Sequence, residues 1–405
     1  MRKTTMINGF INRSIVVGIS ILFIISCIPI TQGFVDGNIL NNLKVRINSK
    51  DDSLFDIKIR LLMILGHMPS LSVSIIKNNT IKWAKGYGYA DRQHKIHSSN
   101  NTVYWIASVS KTFAATAILQ LHEQNQLDLD EDISKYLDFK LRNPKYPNLI
   151  ITCRMLLAHR SSLSRFVIPL GIYFTLLGYP VEWLKEFLIP SGSFYKKNIW
   201  SNYSPGEKFI YSDLGFEILG YIVERITNQS FDKYCKEHIL QPLNMNNTSY
   251  HLKDFELKKI ARFYIWIGGI YIPLPHFQIN NYAAAGLRTN VLDLSRFLLV
   301  HMNNGTYNGV TILNENSTEM MHSLQLGNEF YGLGWYIINL NEEIYEGHQG
   351  IAIGSRAEMW YRPSDKTGII YFWNQCEMFP FRYRLIEHFA QNEIGRLLWD
   401  KADNL

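Results

Sequence analysis

Residues 103–124 read VYWIASVSKTFAATAILQLHEQ, and this stretch sets the architecture expected around it. Residues 103–107 are apolar and aromatic, which is typical of a short buried strand. From 111 to 124 the pattern predicts a long apolar helix. Ser108 and Lys111 therefore stand where an extended segment turns into a helix, three residues apart and on one helical face. A serine in that place has helix N-terminal N–H groups around it and a lysine amine within reach.

The Ser-x-x-Lys pattern is weak by itself, because the chain contains it four times. The matches are Ser74/Lys77, Ser108/Lys111, Ser193/Lys196 and Ser230/Lys233. Ser74 falls in an alternating strand, where residues three apart point to opposite faces. Ser193 falls in a loop, and Ser230 is interpreted as a helix N-cap. Ser108 has a strand before it and a long helix after it, although the spacing alone leaves an N-cap role open for it too.

A serine hydroxyl is a good nucleophile only when a nearby base takes its proton. A lysine can do so if burial or a cationic neighbour lowers its pKa, and a tyrosine beside it can share the proton. Two segments offer such a tyrosine, Tyr146-Pro147-Asn148 and Tyr211-Ser212-Asp213. The first lies in a proline-rich connection, whereas the second leads from a turn into a predicted helix. We therefore choose Tyr211.

Composition narrows the class of protein. The chain has 405 residues, of which 47% are hydrophobic and 19% charged, as expected for a globular protein. Its net charge of +6 is spread along the sequence, and no nucleic-acid module is recognisable. Four widely spaced cysteines, one of them inside the apolar N-terminal stretch, indicate no disulfide framework. No Cys or His pair has metal-ligand spacing, so no metal is indicated.

The N-terminus carries an apolar stretch over 15–28 that follows basic residues. It is shorter than the ~20 residues of a spanning helix and is typical of a secretory signal. We interpret 1–33 as this signal, cleaved near Gly33. A lipid anchor at Cys27 and an uncleaved membrane anchor are the open alternatives. Each interpretation predicts an extracytoplasmic protein, secreted or associated with the membrane through its N-terminus.

The rest of the chain, 34–400, is expected to form one α+β domain. Strands are predicted near both ends, with helices between them and after them. The predicted strands are 71–75, 81–89, 333–338, 357–361 and 368–373, and the predicted helices are 51–68, 111–124, 152–158, 216–226, 231–239 and 381–399. This order favours one antiparallel sheet built from both chain ends and flanked by helices, with a helix-rich subdomain over about 125–280. Aromatic segments near 263–266 and 271–273 are read as core, with a substrate lid as the alternative.

Several longer stretches resemble class C β-lactamase-related serine hydrolases and penicillin-binding proteins. That family includes β-lactamases, D-Ala-D-Ala carboxypeptidases, esterases and D-aminopeptidases. The stretches are MPSLSVSIIKNNTIKWAKGYGYAD (68–91), VYWIASVSKTFAATAILQLHEQNQLDLDEDISKYL (103–137), ITCRMLLAHRSSLS (151–164), SPGEKFIYSDLGFEILGYIVERITNQSFDKYCKEHILQPLNMNNTSY (204–250) and AAAGLRTNVLDLSRFLLVHMNNG (283–305). The resemblance covers roughly residues 60–377 and implies a β-lactamase/transpeptidase-like fold.

The resemblance also implies an acyl-enzyme mechanism. Ser108 would be the nucleophile, with Lys111 and Tyr211 sharing its proton, and the backbone N–H groups of Ser108 and Ile351 would hold the oxyanion. The substrate would be a small molecule or peptide-like: a β-lactam, a D-amino-acid peptide or a small ester. A penicillin-binding or sensor protein of the same fold, which is not a hydrolase or turns over slowly, is the alternative. The resemblance implies no cofactor, and it carries no information on oligomeric state.

The third family element is Lys-Thr-Gly or His-x-Gly on a strand that lines the site. His348-Gln349-Gly350 precedes the penultimate predicted strand, and we choose it; the resemblance implies that His348, Gly350 and the following Ile351 bind the substrate. Lys366-Thr367-Gly368 is the alternative, but the Pro363 turn places it at a hairpin tip.

Asp213 departs from the family's commoner asparagine and is assigned here to substrate binding. An ionised aspartate accepts hydrogen bonds and cannot donate one to a substrate carbonyl. Close to Lys111 it would also raise the pKa of the lysine. Asp213 therefore either points away from Lys111 or recognises a different group, and we expect weaker β-lactam recognition with a preference for an ester or an amine-bearing substrate.

Overall fold

The protein is represented by a computed structural model that describes residues 53–165, 184–279, 282–376 and 381–405. The chain divides into two compact units, Met1–Ile57 and Lys58–Leu405. The predicted signal over 1–33, with Cys27, lies outside the described residues. Of the helices in the described part, none is both long and apolar enough to cross a membrane.

Fourteen strands are present in the described residues. In chain order they are β1 (Ser70–Lys77), β2 (Thr80–Asp91), β3 (Ile96–His97), β4 (Tyr104–Trp105), β5 (Tyr264–Ile267), β6 (Ile270–Pro273), β7 (Arg288–Thr289), β8 (Thr306–Tyr307), β9 (Val310–Thr311), β10 (Tyr336–Leu340), β11 (Glu343–Ala352), β12 (Ser355–Arg362), β13 (Thr367–Trp373) and β14 (Gln375–Cys376). Seven of them form the central antiparallel sheet, in the order β10-β11-β12-β13-β1-β2-β3.

The helices follow the predicted order. They are α1 (Leu54–Leu65), α2 (Ser110–Glu123), α3 (Cys153–Leu157), α4 (Leu184–Leu188), α5 (Asp213–Thr227), α6 (Phe231–Cys235), α7 (Tyr282–Ala285), α8 (Val291–Met302), α9 (Glu315–Met321) and α10 (Phe381–Asp403). A π-helical turn, Lys236–Leu240, continues α6, and short 3-10 turns occupy Ala107–Val109, Ile133–Lys135, Lys197–Ile199, Leu252–Asp254 and Leu257–Lys259.

The sheet joins the two ends of the chain through β1. Leu71 of β1 pairs with Trp373 of β13 on one side and with Tyr87 of β2 on the other. Every residue of β1 except the last is buried, and successive side chains of a strand point to opposite faces. Both faces of β1 are therefore covered, and α8 and α10 both pack against β1 and β13. The antiparallel sheet built from both termini and flanked by helices is confirmed.

Helix α2 lies in the core. All its residues from Ser110 to Leu121 are buried, and it packs against α5 and α7. A helix that is enclosed on all sides belongs to the interior of a large domain. Residues at its N-terminus therefore have a fixed position.

Two elements differ from the sequence interpretation. The segment predicted to be helix-rich also contains the hairpin β5–β6, for which no strand was predicted; Tyr264 and Trp266 are buried in it, as a core interpretation requires. The turn is Gly268-Gly269, both with positive φ, and this dipeptide is a hairpin signal that the aromatic pattern concealed. Strand β11 was not predicted from the residue pattern either, although the family resemblance placed His348-Gln349-Gly350 on a strand.

Gly86 of β2 provides a test of the fold. The segment around Ser99 crosses β2 so closely that a Cβ on Gly86 would lie 2.3 Å from the Ser99 Cα. We expect Gly86→Ala to lower the free energy of unfolding by about 2 kcal/mol or more, because backbone must move. Denaturant unfolding measures the change. Gly215→Ala in α5 is the control, since its Cβ would meet nothing closer than 3.5 Å; equal losses in the two variants would contradict the close crossing.

Candidate active site

Ser108 lies in the 3-10 turn Ala107–Val109, which runs directly into α2. Ala107 has φ +45°, a left-handed conformation that is uncommon for a residue with a side chain. The Ser110 hydroxyl fixes the turn, because it donates to the Ala107 carbonyl at 2.6 Å and accepts the Leu287 N–H at 3.0 Å. Ser108 is the partly exposed residue of a turn whose other residues are buried.

Lys111 lies beneath Ser108, and its side chain is fully buried. Its Nζ donates to three acceptors: Ser108 Oγ at 3.1 Å, Asp213 Oδ1 at 2.6 Å and the Ala284 carbonyl at 2.8 Å. An ammonium group has three N–H donors and no lone pair. All three are used here, so the geometry is that of a protonated lysine donating to Ser108.

Asp213 is the first residue of α5, which Ser212 caps through its side chain. The possibility that Asp213 points away from Lys111 is wrong, since the two form an ion pair at 2.6 Å. Burial lowers the pKa of Lys111, but the charges and hydrogen bonds of Asp213 and Tyr211 outweigh it. The pKa of Lys111 is therefore raised above that of an ordinary lysine.

Tyr211 completes the cluster. The Lys111 Nζ lies 5.0 Å from the centre of its ring. Burial raises the pKa of Tyr211, and although the Lys111 charge and hydrogen bonds with Ser108 and Lys111 lower it, it stays above the ordinary value. At neutral pH the phenol is protonated. The structure thus brings Ser108, Lys111, Tyr211 and Asp213 together at one place.

Strand β11 carries His348 and Gly350 and packs against the Ser108 turn. A Cβ on Gly350 would lie 2.0 Å from the Ile106 carbonyl oxygen. Only glycine allows this approach of the strand to the turn. Ile351, the next residue, is thereby brought beside the turn, with its side chain half exposed.

His348 is fully buried in the wall of the site. Its Nδ1 lies 2.7 Å from the Gln349 carbonyl, which can only accept, so Nδ1 carries the proton and Nε2 accepts from the Tyr331 hydroxyl at 3.2 Å. Burial and the Lys111 charge lower the pKa of His348 to about 3. It is a neutral residue with both ring nitrogens occupied by protein groups.

Lys366-Thr367-Gly368 lies away from this cluster. Lys366 is in the turn between β12 and β13, and the Thr367 hydroxyl donates to Asp365 at 2.8 Å within that turn. A Cβ on Gly368 would face Leu298 of α8. The triplet is held by its own hairpin and by the helix behind it.

Two residues of the site were not singled out from the sequence. Buried His159 accepts the Ser212 N–H on Nδ1 at 3.1 Å, and its ring centre lies 4.2 Å from that of Tyr211. Glu217 accepts the Ala284 N–H at 2.9 Å, and burial raises the pKa of Glu217 to about 8. The four-residue spacing of Asp213 and Glu217 on α5 was the available signal for Glu217.

The described residues contain no group of three or more His, Cys, Asp or Glu side chains arranged for a metal.

Comparison with known proteins identifies the class. The β-lactamase family model matches residues 55–390, and the chain belongs to this family. Protein flp of Staphylococcus aureus (strain NCTC 8325 / PS 47) is 27% identical over 334 residues, covering 80% of this chain and 62% of that protein. The chain thus spans about three fifths of that relative. The putative penicillin-binding protein PbpX of Bacillus subtilis (strain 168) is 25% identical over 303 residues, covering 74% of this chain and 69% of that protein.

Solved structures agree on the fold. The octameric penicillin-binding protein homologue from Pyrococcus abyssi has a TM-score of 0.69 and 28% identity, covering 83% of this chain and 76% of that chain. The D-amino acid amidase from Ochrobactrum anthropi SV3, complexed with L-phenylalanine amide, has a TM-score of 0.66 and 19% identity. The match covers 87% of this chain and 99% of that chain. The predicted β-lactamase/transpeptidase-like fold is confirmed.

The ion pair predicts how Lys111 titrates. With Asp213 in place, Lys111 should stay protonated beyond the ordinary lysine pKa of 10.5. In Asp213→Asn the carboxylate is lost, burial becomes dominant, and the pKa of Lys111 should fall by at least about one unit. NMR of ¹³C-lysine-labelled protein follows the Lys111 Cε resonance, assigned with Lys111→Arg. The same titration midpoint in both proteins would contradict the coupling.

Proposed function

We propose that the protein is a serine hydrolase that forms an acyl-enzyme at Ser108. The observation that carries the proposal is the 3.1 Å hydrogen bond between the buried Lys111 Nζ and the partly exposed Ser108 Oγ, at a fixed turn into α2. An exposed hydroxyl held against a buried amine is the arrangement that nucleophilic catalysis requires. Membership of the β-lactamase family supports the same conclusion.

The reaction needs Lys111 as a neutral amine. Its lone pair then takes the Ser108 hydroxyl proton while the serine oxygen bonds to the substrate carbonyl carbon, and the Tyr211 hydroxyl can pass that proton on. The leaving amine or alcohol departs with a proton from the same groups. Water next attacks the acyl ester, gives up a proton to Lys111, and releases the acid while Ser108 regains its hydrogen. The backbone N–H groups of Ser108 and Ile351 are proposed as the oxyanion donors.

A slowly hydrolysing penicillin-binding receptor is the second candidate, and one observation favours it. The raised pKa of Lys111 keeps the base protonated at neutral pH, which slows any step that needs the free amine, deacylation included. Intact-protein mass spectrometry after penicillin addition separates the two. A penicilloyl adduct that persists for hours supports the receptor, and an adduct that disappears supports the hydrolase.

For location and substrate we propose an extracytoplasmic protein that acts on a small or peptide-like amide or ester. The location rests on the apolar N-terminal stretch over 15–28. The substrate class rests on the site chemistry, and it accords with the amino acid amide in the name of the amidase neighbour.

The nucleophile can be tested with one of the other Ser-x-x-Lys serines as control. Ser108→Ala should abolish labelling by a fluorophosphonate probe and reduce hydrolysis of short 4-nitrophenyl esters by at least about 10³-fold. Ser193→Ala should behave as wild type, because Ser193 is exposed in a loop. Gel fluorescence measures labelling by the probe, and absorbance at 400 nm measures hydrolysis of the ester. Labelling that survives in Ser108→Ala would contradict the assignment.

Asp213 should limit turnover of β-lactams. In Asp213→Asn the side-chain amide can donate to a substrate carbonyl, and Lys111 loses the partner that keeps it protonated. We expect kcat/KM for benzylpenicillin to rise by roughly tenfold, equivalent to about 1.4 kcal/mol of transition-state stabilisation. Hydrolysis is followed in the ultraviolet. Unchanged or slower turnover would count against this role.

A further inference from the structure

The β5–β6 hairpin has an exposed aliphatic face. Ile267 pairs opposite Ile270, and Ile265 pairs opposite Ile272. Residues two apart on a strand share a face, so the four isoleucines lie together on one side of the hairpin. Ile267 is 48% exposed, Ile270 67% and Ile272 42%. Single exposed apolar side chains are ordinary in proteins, but a contiguous group of them marks an interaction surface.

The opposite face of the hairpin packs on the protein. Trp266 stacks on His67, with 3.7 Å between the ring centres. The Arg92 guanidinium lies 4.1 Å from the centre of the Tyr271 ring. The Tyr264 hydroxyl accepts the Arg92 backbone N–H at 2.8 Å. These contacts fix the hairpin to the domain, and the isoleucine face is held outward on a rigid support.

The tip of the hairpin carries no charge. Residues 263–287 contain no Asp, Glu, Lys or Arg, although 19% of the chain is charged. The turn is Gly268-Gly269, and no atom lies within 4 Å of a Cβ built at either glycine. The β10–β11 hairpin differs, because it exposes Leu340 but has Glu342 in its turn. Turns that face water normally carry polar residues, whereas an apolar tip suits a lipid interface.

Exposed cations flank the hairpin. Arg92 and Lys95 belong to the turn between β2 and β3, and both are exposed. One carboxylate also reaches the hairpin, since Asp91 Oδ1 lies 3.5 Å from the Tyr264 hydroxyl. Asp91 is buried and pairs with Arg262 at 3.1 Å. Beside the hairpin, the exposed charge of these residues is therefore positive, as suits a surface of anionic lipid headgroups.

We propose that the β5–β6 hairpin docks on a membrane surface, with Ile267 and Ile270 at the acyl boundary and Arg92 and Lys95 among anionic headgroups. Each strand has four residues, about 14 Å at ~3.4 Å per residue. That length fits an interfacial contact about 5–10 Å deep and falls short of a crossing.

The N-terminal sequence favours a membrane as the occupant. The apolar stretch over 15–28, as a leader or as an anchor, delivers the domain to the outer face of a membrane. Residues 29–52 separate this stretch from the described domain and reach no further than about 80 Å, so a retained anchor keeps the domain at that surface. The inference rests on the proposed location and is independent of the proposed hydrolysis.

Docking would also position the active site. Phe263 and Leu274 flank the hairpin in the chain, and they pack in one cluster with Trp105 and Ala107. Ala107 directly precedes Ser108, so the hairpin and the nucleophile turn share one support. A docked protein then holds Ser108 at a fixed distance from the lipid surface.

Amide hydrogen exchange on the full chain tests the contact locally. Exchange over 265–272 is measured by mass spectrometry with and without vesicles of phosphatidylcholine and phosphatidylglycerol. We expect the vesicles to slow this exchange at least about fivefold in wild type. Ile267→Ser/Ile270→Ser should show no slowing by vesicles, because its hairpin no longer offers the apolar area to bury. The readout is confined to the hairpin, so insertion of the N-terminal stretch cannot produce it.

Leu340→Ser/Ile344→Ser is the matched control. It removes two exposed aliphatic side chains from the β10–β11 hairpin and should keep the wild-type slowing at β5–β6. Unchanged exchange in β1 shows that each variant is folded. Vesicles of phosphatidylcholine alone should slow the hairpin less, since Arg92 and Lys95 then have no anionic partner; equal slowing would remove these two cations from the proposal.

Three results would overturn the docking. The first is wild-type exchange over 265–272 that vesicles leave unchanged, and the second is equal slowing in Ile267→Ser/Ile270→Ser and wild type. The third is slowing that needs no vesicles and grows with protein concentration, which indicates a second copy on the open edge of β6. None of these measurements involves Ser108, so the lipid contact and the hydrolase are tested separately.

Discussion

The buried Lys111 ammonium is the interaction on which the site depends. A charge taken out of water is tolerated only when it is paired and hydrogen-bonded. Lys111 meets this condition with acceptors from three places in the chain: the Ser108 turn, the start of α5, and α7. The position of each is set by a further bond, such as that from the Ala284 N–H to Glu217. The hydrogen bonds that satisfy the buried ammonium group are therefore the same bonds that assemble the site.

The central sheet forms the other side of the site, where strand β11 must come very close to the Ser108 turn. Gly350 lets β11 approach the Ile106 carbonyl, and this contact sets how near Ile351 comes to Ser108. His348, although family resemblance suggested substrate binding, is turned into the protein and bonded on both nitrogens. In the described structure β11 therefore contributes its backbone to the site next to Ser108, whereas the His348 side chain is bonded to other protein groups.

Much of the fold followed from sequence because it rests on periodicity. The alternating β1 excluded Ser74, the apolar α2 supported Ser108, and the turn before β13 excluded Lys366-Thr367-Gly368 as the third motif. The residue pattern predicted no strand at β11, because EIYEGHQGIA contains glycines and charged residues that disfavour strands. In the fold, pairing of β11 on both edges compensates for them. The direction of Asp213 was not predictable, because it depends on where α5 begins relative to α2, which no local pattern encodes.

The pairing of β1 with β13 also bears on how the chain reaches this structure. Leu71 and Trp373 are neighbours in the sheet although some three hundred positions separate them in the chain. During synthesis on the ribosome, the hairpin β1–β2 is made early and β13 almost last. Until then β1 has an unpaired edge, the kind of surface that invites aggregation. Contacts so distant in sequence also slow folding. The central sheet therefore closes only after nearly the whole polypeptide has been made, and in a nascent or truncated chain that edge of β1 is open to other partners.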